Sequence, residues 1–262
     1  MRAGVSTASL FLRVNTEDAL ALLGEWGVKE AEVFLTSFCE YSEKFARLLK
    51  TKARGIRVNS VHALGTQFEP QLFAEHPRVV NDAYTWLRQF LAAAKILGAD
   101  YYSFHGLARM KRSFRDDIQK RAEKLRAICD ECEKYGVKLC LENVEWAYYN
   151  RPGIFRALKK ECPSLLGVLD IKQARISGFA YQEYLAEMGQ SIAYVHVSDI
   201  GADGKMCLPG RGIFNFDELF ARLRDVGFQG DIILENYGGD YGDLGELKTA
   251  YEFLAEKAEK FS

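Results

Sequence analysis

The chain has 262 residues, of which 48% are hydrophobic and 27% are charged, a composition typical of an ordinary globular protein with a large core. The formal net charge of −1 argues against a general nucleic-acid-binding protein, because such proteins need a basic surface. No run of 18 apolar residues occurs in the sequence, so we expect no membrane helix and a cytoplasmic location.

Eight short and nearly continuous apolar runs along the chain are predicted strands. Runs that are apolar on both faces are typical of a parallel sheet that helices cover on both sides. The predicted strands are Ala3–Thr7, Ala31–Leu35, Arg57–His62, Tyr101–His105, Lys138–Glu142, Gly167–Asp170, Ala193–His196 and Asp231–Glu235.

Amphipathic helices are predicted between these strands. Apolar residues recur at steps of three and four across residues 80–97, 118–132 and 247–258, and each set forms one stripe along a helix. Asn15 precedes acidic residues in a first helical turn and is a predicted N-cap. Several helices end in a glycine, which suits the left-handed position that closes a last turn. These glycines are Gly27, Gly98, Gly136 and Gly227.

The six cysteines are interpreted mainly as core residues. Cys129 and Cys132 form a C-x-x-C pair inside a helical pattern, and both fall on one helix face. A redox or metal-binding pair is the alternative, but a zinc site would need partners that the sequence does not supply nearby. The remaining thiols are interpreted as small buried hydrophobes in a reducing compartment. They are Cys39, Cys140, Cys162 and Cys207.

The alternation of eight strands with helices permits either a closed barrel or an open doubly wound sheet. No G-x-G-x-x-G motif follows the first strand, so the usual mark of a dinucleotide-binding fold is missing. Eight units in a chain of this length favour a (β/α)8 barrel, which typically needs about 250 residues. Residues 1–262 are therefore expected to form a single α/β domain of this kind.

Six predicted strands in succession end in an ionisable residue. The carboxyl ends of the strands in a (β/α)8 barrel meet at one mouth, where catalytic groups lie. Burying a carboxylate is costly unless it is paired or bound to a metal, so stability alone does not account for this pattern. The six residues are His62, His105, Glu142, Asp170, His196 and Glu235.

The last four of these residues predict a metal site. Glu142, Asp170 and Glu235 supply three carboxylates, and His196 supplies one imidazole. Three carboxylates crowded in one mouth repel each other without a cation. The mixed oxygen and nitrogen donors suit one divalent ion, namely Mn, Co, Mg or Zn. The alternative is that each acid closes a separate ion pair at its strand end.

Further residues of the predicted mouth are candidates for contact with a small carbohydrate or polyol substrate. Glu145 and Trp146 follow the fifth strand, where an acid beside aromatic rings can hydrogen-bond to a polyol and stack on it. Arg211, in a glycine-flanked turn, can bind an oxygen anion. The alternatives are a packed rim loop for the first pair and a surface ion pair for Arg211. The complete set of candidates is His62, His105, Glu145, Trp146, Gln173 and Arg211.

At these residues the chain resembles the superfamily of xylose isomerase-like barrels, which contains sugar isomerases and epimerases. The matching motifs are LCLEN around Glu142, LGVLD ending at Asp170, YVHVSD around His196 and IILEN around Glu235. The motif LPGRG, before Asn215, also matches. The motifs cover the second half of the chain in the expected order, and the first half matches in layout.

The resemblance implies a mechanism. In the metal motif the chain is most similar to ketose 3-epimerases, whose single ion is held by positions matching Glu142, Asp170, His196 and Glu235. The resemblance implies that Glu142 and Glu235 act as an acid/base pair. It also implies that the ion polarises the substrate carbonyl and stabilises an enediolate. Relatives are often homo-oligomers.

One departure from the family pattern concerns the substrate. Relatives usually carry histidine three residues after the strand-six aspartate, where this chain has Gln173, so the substrate is left open. Related abasic-site endonucleases need that histidine for a three-zinc cluster, which makes DNA a disfavoured partner here. An inosose dehydratase-like or other lyase reaction through the same site is the main alternative. A non-catalytic binding barrel is a further one.

Overall fold

In the computed structural model, which describes residues 1–65, 67–109 and 117–261, eight parallel strands close into one barrel. Each strand pairs with the next one along the chain, and the last closes the barrel against the first. This confirms the predicted (β/α)8 barrel. The barrel strands are β1 (Arg2–Ser6), β2 (Glu30–Leu35), β3 (Arg57–Ala63), β4 (Tyr101–Phe104), β5 (Lys138–Glu142), β6 (Leu166–Asp170), β7 (Ile192–Val197) and β10 (Asp231–Leu234).

Helices surround the barrel, and two short antiparallel strands, β8 (Asp199–Ile200) and β9 (Met206–Cys207), lie after β7. The three predicted apolar stripes correspond to the helices α3, α4 and α9. The described α-helices are α1 (Thr16–Glu25), α2 (Glu43–Lys52), α3 (Pro77–Leu97), α4 (Ile118–Glu133), α5 (Ile154–Glu161), α6 (Ile171–Ile176), α7 (Tyr181–Met188), α8 (Phe216–Asp225) and α9 (Leu244–Lys260).

The glycines predicted at helix ends adopt the expected backbone. Gly27, Gly98, Gly136 and Gly227 all have φ between 75° and 80°. At the end of α3, the Gly98 N–H donates to the carbonyls of Ala94 and Lys95, which closes the last turn. Asn15 is the N-cap residue of α1, but its side chain makes no capping hydrogen bond there.

Some predicted strand boundaries are wrong by one residue. The first strand is Arg2–Ser6, because Ser6 caps a short 3-10 turn that starts at residue 7. His105 lies one residue beyond β4, since its N–H donates to Glu69 Oε2 at 2.9 Å instead of continuing the strand. Glu235 likewise follows β10 directly, although its N–H still donates to the Val197 carbonyl.

The prediction of buried thiols is confirmed for Cys129, Cys132, Cys140 and Cys162. Cys129 and Cys132 are buried on α4, and Cys129 Sγ lies 3.7 Å from the Sγ atom of Cys162. Cys140 is also buried, and Cys207 is half-buried. The prediction was wrong for Cys39, which is exposed in a 3-10 turn outside the barrel.

The N-terminal end of the barrel is closed by a network of charges. Glu30 and Asp231 begin β2 and β10 and are almost fully buried. Arg57 Nε lies 2.6 Å from Glu30 Oε2, and a second guanidinium nitrogen of Arg57 contacts Asp231. Arg2 contacts the same two acids at 3.0 and 3.1 Å. Both buried carboxylates therefore have fixed cationic partners.

Within the described parts of the chain, every helix is too short or too polar to cross a lipid bilayer.

Candidate metal centre and active site

The four predicted metal ligands converge at the C-terminal mouth of the barrel. Glu142 and Asp170 end β5 and β6, His196 lies within β7, and Glu235 follows β10. The Nδ1 atom of His196 lies 3.1 Å from Glu142 Oε1 and 3.4 Å from Glu235 Oε2. It lies 3.9 Å from Asp170 Oδ2. All four side chains are buried, and one ligand atom from each lies within 4.8 Å of the others.

The junction between β6 and α6 fixes the position of Asp170. Its Oδ1 accepts a hydrogen bond from the Gln173 N–H at 2.8 Å and so caps α6. The Asn143 side chain accepts from the backbone N–H of Asp170 and donates to its carbonyl. The remaining oxygen, Oδ2, is buried and has no hydrogen-bond partner among the described residues. Such an oxygen is costly without a partner, and a cation in the cluster would supply one.

The charges in the cluster also fit a cation. Burial, together with Glu142 and Glu235, raises the pKa of Asp170 to about 7, although Lys172 acts in the opposite direction. Lys172 is itself buried, and its Nζ lies 3.6 Å from Glu235 Oε2. Burial opposes the charge of Lys172, but Glu235 and Asp170 raise its pKa above the usual value. Three carboxylates and one imidazole form a donor set that suits a divalent ion.

Two more predicted residues, His62 and His105, lie beside this cluster. Their Nε2 atoms are 3.0 Å apart. His62 Nδ1 lies 3.6 Å from Glu235 Oε1, and His105 Nε2 lies 3.3 Å from Glu142 Oε2. Burial acts to lower the pKa of His62, but hydrogen bonds to Glu235 and Glu32 raise it to about 10. Each glutamate of the cluster therefore has its second oxygen next to a histidine.

Glu32 is a residue of this region that the sequence interpretation missed. It lies in β2, is fully buried and contacts His196 Nε2 at 3.1 Å. The hydroxyl groups of Ser6, Ser60 and Tyr194 donate to its two oxygens at 2.8 to 3.0 Å. A signal was present, because the β2 segment EAEVFL places two acids two residues apart in an otherwise apolar strand. Alternating acids in such a strand point into the barrel on the same face.

Comparison with known proteins identifies the family of this chain. The family described as Xylose isomerase-like TIM barrel matches residues 20–257. The chain belongs to this family. Inosose isomerase from Bacillus licheniformis is 24% identical over 188 residues, which cover 65% of this chain and 67% of that protein.

Solved structures show the same fold over the whole barrel. D-Psicose 3-epimerase from Clostridium cellulolyticum H10 superposes with a TM-score of 0.81 at 17% identity, covering 100% of this chain and 99% of that one. The IOLI protein, whose structure contains a bound zinc atom, gives a TM-score of 0.80 at 19% identity. That alignment covers 100% of this chain and 98% of the IOLI chain.

In this xylose isomerase-like barrel, Gln173 lies next to the ligand cluster. Its side-chain Oε1 accepts from the Glu145 N–H at 3.2 Å, and its Nε2 donates to the Tyr237 hydroxyl at 3.2 Å. Tyr237 in turn lies under the Lys172 ammonium group, which is 3.9 Å from the centre of its ring. Gln173 thus joins the loops that follow β5 and β10, and only its backbone contacts the Asp170 carboxylate.

The loop after β5 brings one predicted side chain to the mouth and another to an ion pair. The Trp146 ring lies 5.1 Å from the His105 ring at an angle of 61°. The Glu145 carboxylate accepts from Arg109 Nη2 at 2.6 Å and is about one third exposed. Trp146 therefore contacts His105 directly, whereas Glu145 has a cationic partner of its own.

The L-P-G-R-G motif is organised by Asp199. One oxygen of this buried carboxylate accepts from the N–H groups of Gly210 and Gly212, both at 3.0 Å. A Cβ atom at Gly212 would lie 2.3 Å from the other oxygen, so no side chain fits there. Arg211 is half-exposed and pairs with Glu246 at 2.8 Å. The structure thus shows the alternative of a surface ion pair, and binding of substrate by Arg211 stays a prediction.

Proposed function

We propose that this chain is a divalent-metal-dependent isomerase or epimerase of a sugar or polyol ketone, with Glu142 and Glu235 as its acid/base pair. The observation that carries the proposal is the buried cluster of Glu142, Asp170, His196 and Glu235 at the mouth of the barrel. Membership of the xylose isomerase-like family supports it. So do the inosose isomerase and the D-psicose 3-epimerase that the chain resembles.

The four clustered residues would hold the ion. A divalent cation bound there supplies Lewis acidity toward the carbonyl and hydroxyl oxygens of a substrate. The His196 Nδ1 atom faces the three carboxylates, and the Nε2 atom on the opposite edge of the ring contacts Glu32. Asp170 Oδ2, which has no hydrogen-bond partner among the described residues, would complete the donor set.

The two glutamates are placed to move protons. Glu142 Oε2 lies 3.1 Å from the Ser103 hydroxyl and 3.3 Å from His105 Nε2. Glu235 Oε1 lies near His62 Nδ1, while its Oε2 lies near Lys172. One glutamate takes the proton from the carbon beside the carbonyl, and the other returns a proton from the opposite face. Their unequal neighbours allow the two carboxyl groups to differ in protonation.

The other residues at the mouth would bind the substrate. Trp146 offers an aromatic wall next to His105, and Gln173 offers an amide that can exchange its Tyr237 partner for a substrate hydroxyl. Glu145 and Arg211 contribute only if they leave Arg109 and Glu246, respectively. His105 lies 3.3 Å from Glu142 and His62 lies 3.6 Å from Glu235, so both would contact the reacting end of the substrate.

Solvent deuterium incorporation tests the proposal. The protein is incubated in deuterated water with Mn²⁺ or with chelator, together with free and phosphorylated ketoses and inososes, and NMR detects exchange beside the carbonyl. Metal-dependent exchange at C3 with a new diastereomer is expected for an epimerase, and exchange at C1 or C2 for an isomerase. Loss of water would replace the proposal by a dehydratase. Absence of metal-dependent exchange across the panel would contradict it.

A further inference from the structure

We infer that Glu32 is a positioning residue that fixes the tautomer of His196, so that Nδ1 is left as the metal-binding nitrogen. The inference rests on the proposed metal site and adds a residue to it that lies on a different strand from all four ligands. Glu32 belongs to β2, while the ligands come from β5, β6, β7 and the end of β10.

The two nitrogens of His196 face different surroundings. Nε2 lies 3.1 Å from Glu32 Oε1 and 3.2 Å from Glu32 Oε2, so a single carboxylate covers this side of the ring. Nδ1 points the other way, to Glu142 Oε1 at 3.1 Å and Glu235 Oε2 at 3.4 Å. His196 is fully buried, so water does not offer either nitrogen an alternative partner.

The hydrogen-bond partners of Glu32 determine which nitrogen of His196 carries the proton. An ionised carboxylate only accepts hydrogen bonds, so each neighbour must donate. The hydroxyls of Ser6, Ser60 and Tyr194 do so at 3.0, 2.8 and 2.9 Å. His196 can satisfy the same carboxylate only with a proton on Nε2. A neutral imidazole has one N–H, and the lone pair of Nδ1 is then directed at the metal-ligand cluster.

Glu32 also contacts His62, whose Nδ1 lies 3.4 Å from Glu32 Oε1. This contact is longer than the one to His196, and the Nε2 atom of His62 is directed at His105 instead of at the ligand cluster. Because His62 also contacts Glu235 at 3.6 Å, the two routes are separated in the His62→Phe background, where an effect of Glu32→Gln that acts through His62 would disappear. An effect that acts through His196 would not.

The experiment compares zinc affinity in Glu32→Gln and in the wild type, by competition with a chromophoric chelator. A glutamine can turn its amide N–H₂ toward Nε2 and so favour the wrong tautomer. Loss of such an orienting carboxylate typically weakens metal binding by about 10- to 100-fold, which is the expected result. Glu69→Gln is the matched control, because Glu69 is equally buried but contacts Tyr102 and the N–H groups of residues 105 and 106. Its zinc affinity should equal that of the wild type.

A second readout reports the tautomer directly. In the zinc-loaded wild type, ¹H–¹⁵N NMR of the imidazoles should show a slowly exchanging, downfield Nε2–H for His196 and a zinc-bound Nδ1. In Glu32→Gln that proton should move upfield or be lost to exchange. This measurement on the wild type holds even if Glu32→Gln does not fold. Zinc bound to Nε2 in the wild type would overturn the inference.

The remaining outcomes are equally decisive. Unchanged zinc affinity in Glu32→Gln would overturn the inference. An equal loss in Glu69→Gln would overturn it as well, and so would the absence of any effect of Glu32→Gln in the His62→Phe background. Neither readout uses a sugar, so the inference and the proposed function can fail separately. If zinc binding and the NMR spectra are as expected but no deuterium exchange is detected, only the proposed enzymatic function is contradicted. If deuterium exchange occurs but the zinc affinity of Glu32→Gln equals that of the wild type, only the proposed role of Glu32 is contradicted.

Discussion

Acidic side chains are buried at both ends of the barrel interior, but the two ends differ in how the negative charge is compensated. At the N-terminal end, Glu30 and Asp231 each contact Arg57 and Arg2, and the arginines reach partly into solvent. The counter-charge is therefore part of the chain. Groups at this end of a (β/α)8 barrel generally serve stability.

At the C-terminal end, the acids lack a full set of such partners. Glu142, Asp170 and Glu235 surround His196 Nδ1, and one oxygen of Asp170 has no hydrogen-bond partner among the residues that the structure describes. Among the described residues, Lys172 is buried beside these acids, and its Nζ lies 3.6 Å from Glu235 Oε2. A buried ion pair with both charges in the chain needs no ligand, whereas the cluster at this end is the one that we propose to bind a cation. We therefore interpret the first network as structural and the second cluster as a candidate binding site.

The largest expected effect concerns the glutamates of the mouth. Glu142→Gln and Glu235→Gln should each lower turnover by about 10² to 10⁴-fold, because each removes one acid/base group. Deuterium exchange with the identified substrate measures the loss. Glu131→Gln is the control, since Glu131 is a buried acid on the outer helix α4, paired with Arg88 and Lys134. Near wild-type turnover in either mouth variant would remove the two-glutamate mechanism.

Metal addition should distinguish the two ends by thermal stability. A ligand at 100 times its dissociation constant stabilises the folded state by about 2.7 kcal/mol, so Mn²⁺ or Zn²⁺ should raise Tm relative to chelator. Asp170→Asn should lose most of this increase, while the Arg57→Met variant should keep it. Differential scanning calorimetry gives the comparison. An equal response of wild type and Asp170→Asn to metal would contradict the assignment of the site.

Breaking the N-terminal network should change stability without changing metal binding. Arg57→Met leaves Glu30 and Asp231 with only Arg2. Because Arg57 is one third exposed, we expect a loss of about 2 kcal/mol, below the range for a fully buried pair. Urea unfolding measures it. Arg47→Met is the control, since the exposed pair of Arg47 with Glu43 should be worth under about 1 kcal/mol. A loss of metal affinity in Arg57→Met would show that the two ends are coupled.

The pH dependence of the metal-free protein should reveal the raised pKa of Asp170, which burial and the neighbouring glutamates cause. Its pKa is raised to about 7 from about 3.9 in an unfolded chain, so the folded state holds a proton that the unfolded state has released. The contribution of Asp170 to stability is therefore lost as the pH rises between about 4 and 7. In chelator, the Tm of wild type minus that of Asp170→Asn should fall from pH 5 to pH 8. A constant difference would contradict the raised pKa.

The smallest effect is expected at Gln173. The side chain of Gln173 contacts Tyr237 and the Glu145 N–H, and its backbone N–H donates to Asp170, one of the proposed metal ligands. Gln173→Ala should therefore change the ratio of kcat/KM between two substrates by up to about tenfold, the worth of one hydrogen bond. Metal content, measured by elemental analysis, should be unchanged. Loss of metal together with activity would show that Gln173 supports Asp170.

The fold could be predicted from the sequence because each of its signals is local. Apolar runs of four to six residues, amphipathic stripes and helix-terminal glycines depend only on near neighbours, and each kind of signal recurs along the chain. Some errors, unlike the one that the local cap of Ser6 causes at the end of β1, fell where a distant side chain intervenes. The end of β4 is an example, because the Glu69 carboxylate takes the backbone N–H of His105.

The candidate site was predicted in part for the same reason. Glu142, Asp170 and His196 stand at or near strand ends, and parallel strands of a barrel deliver their ends to one mouth. Arg211 shows the limit of prediction from the sequence, because a turn motif predicts that the chain bends but not where the side chain points. The turn places the glycine N–H groups against Asp199, and Arg211 is left beside Glu246.

The sequence by itself determined the barrel, the order of its strands and the carboxylate and imidazole donors at its mouth. Periodicity and strand ends depend only on consecutive residues. Only the tertiary structure decided that Glu32 lies against His196, since residues 164 positions apart meet through the closure of the barrel. It also decided which acids have a counter-charge. Arg2 reaches Asp231 across 229 positions, and no such partner reaches Asp170 Oδ2 within the part of the chain described. Electrostatic pairing depends on distance in space, and closure of the barrel sets that distance.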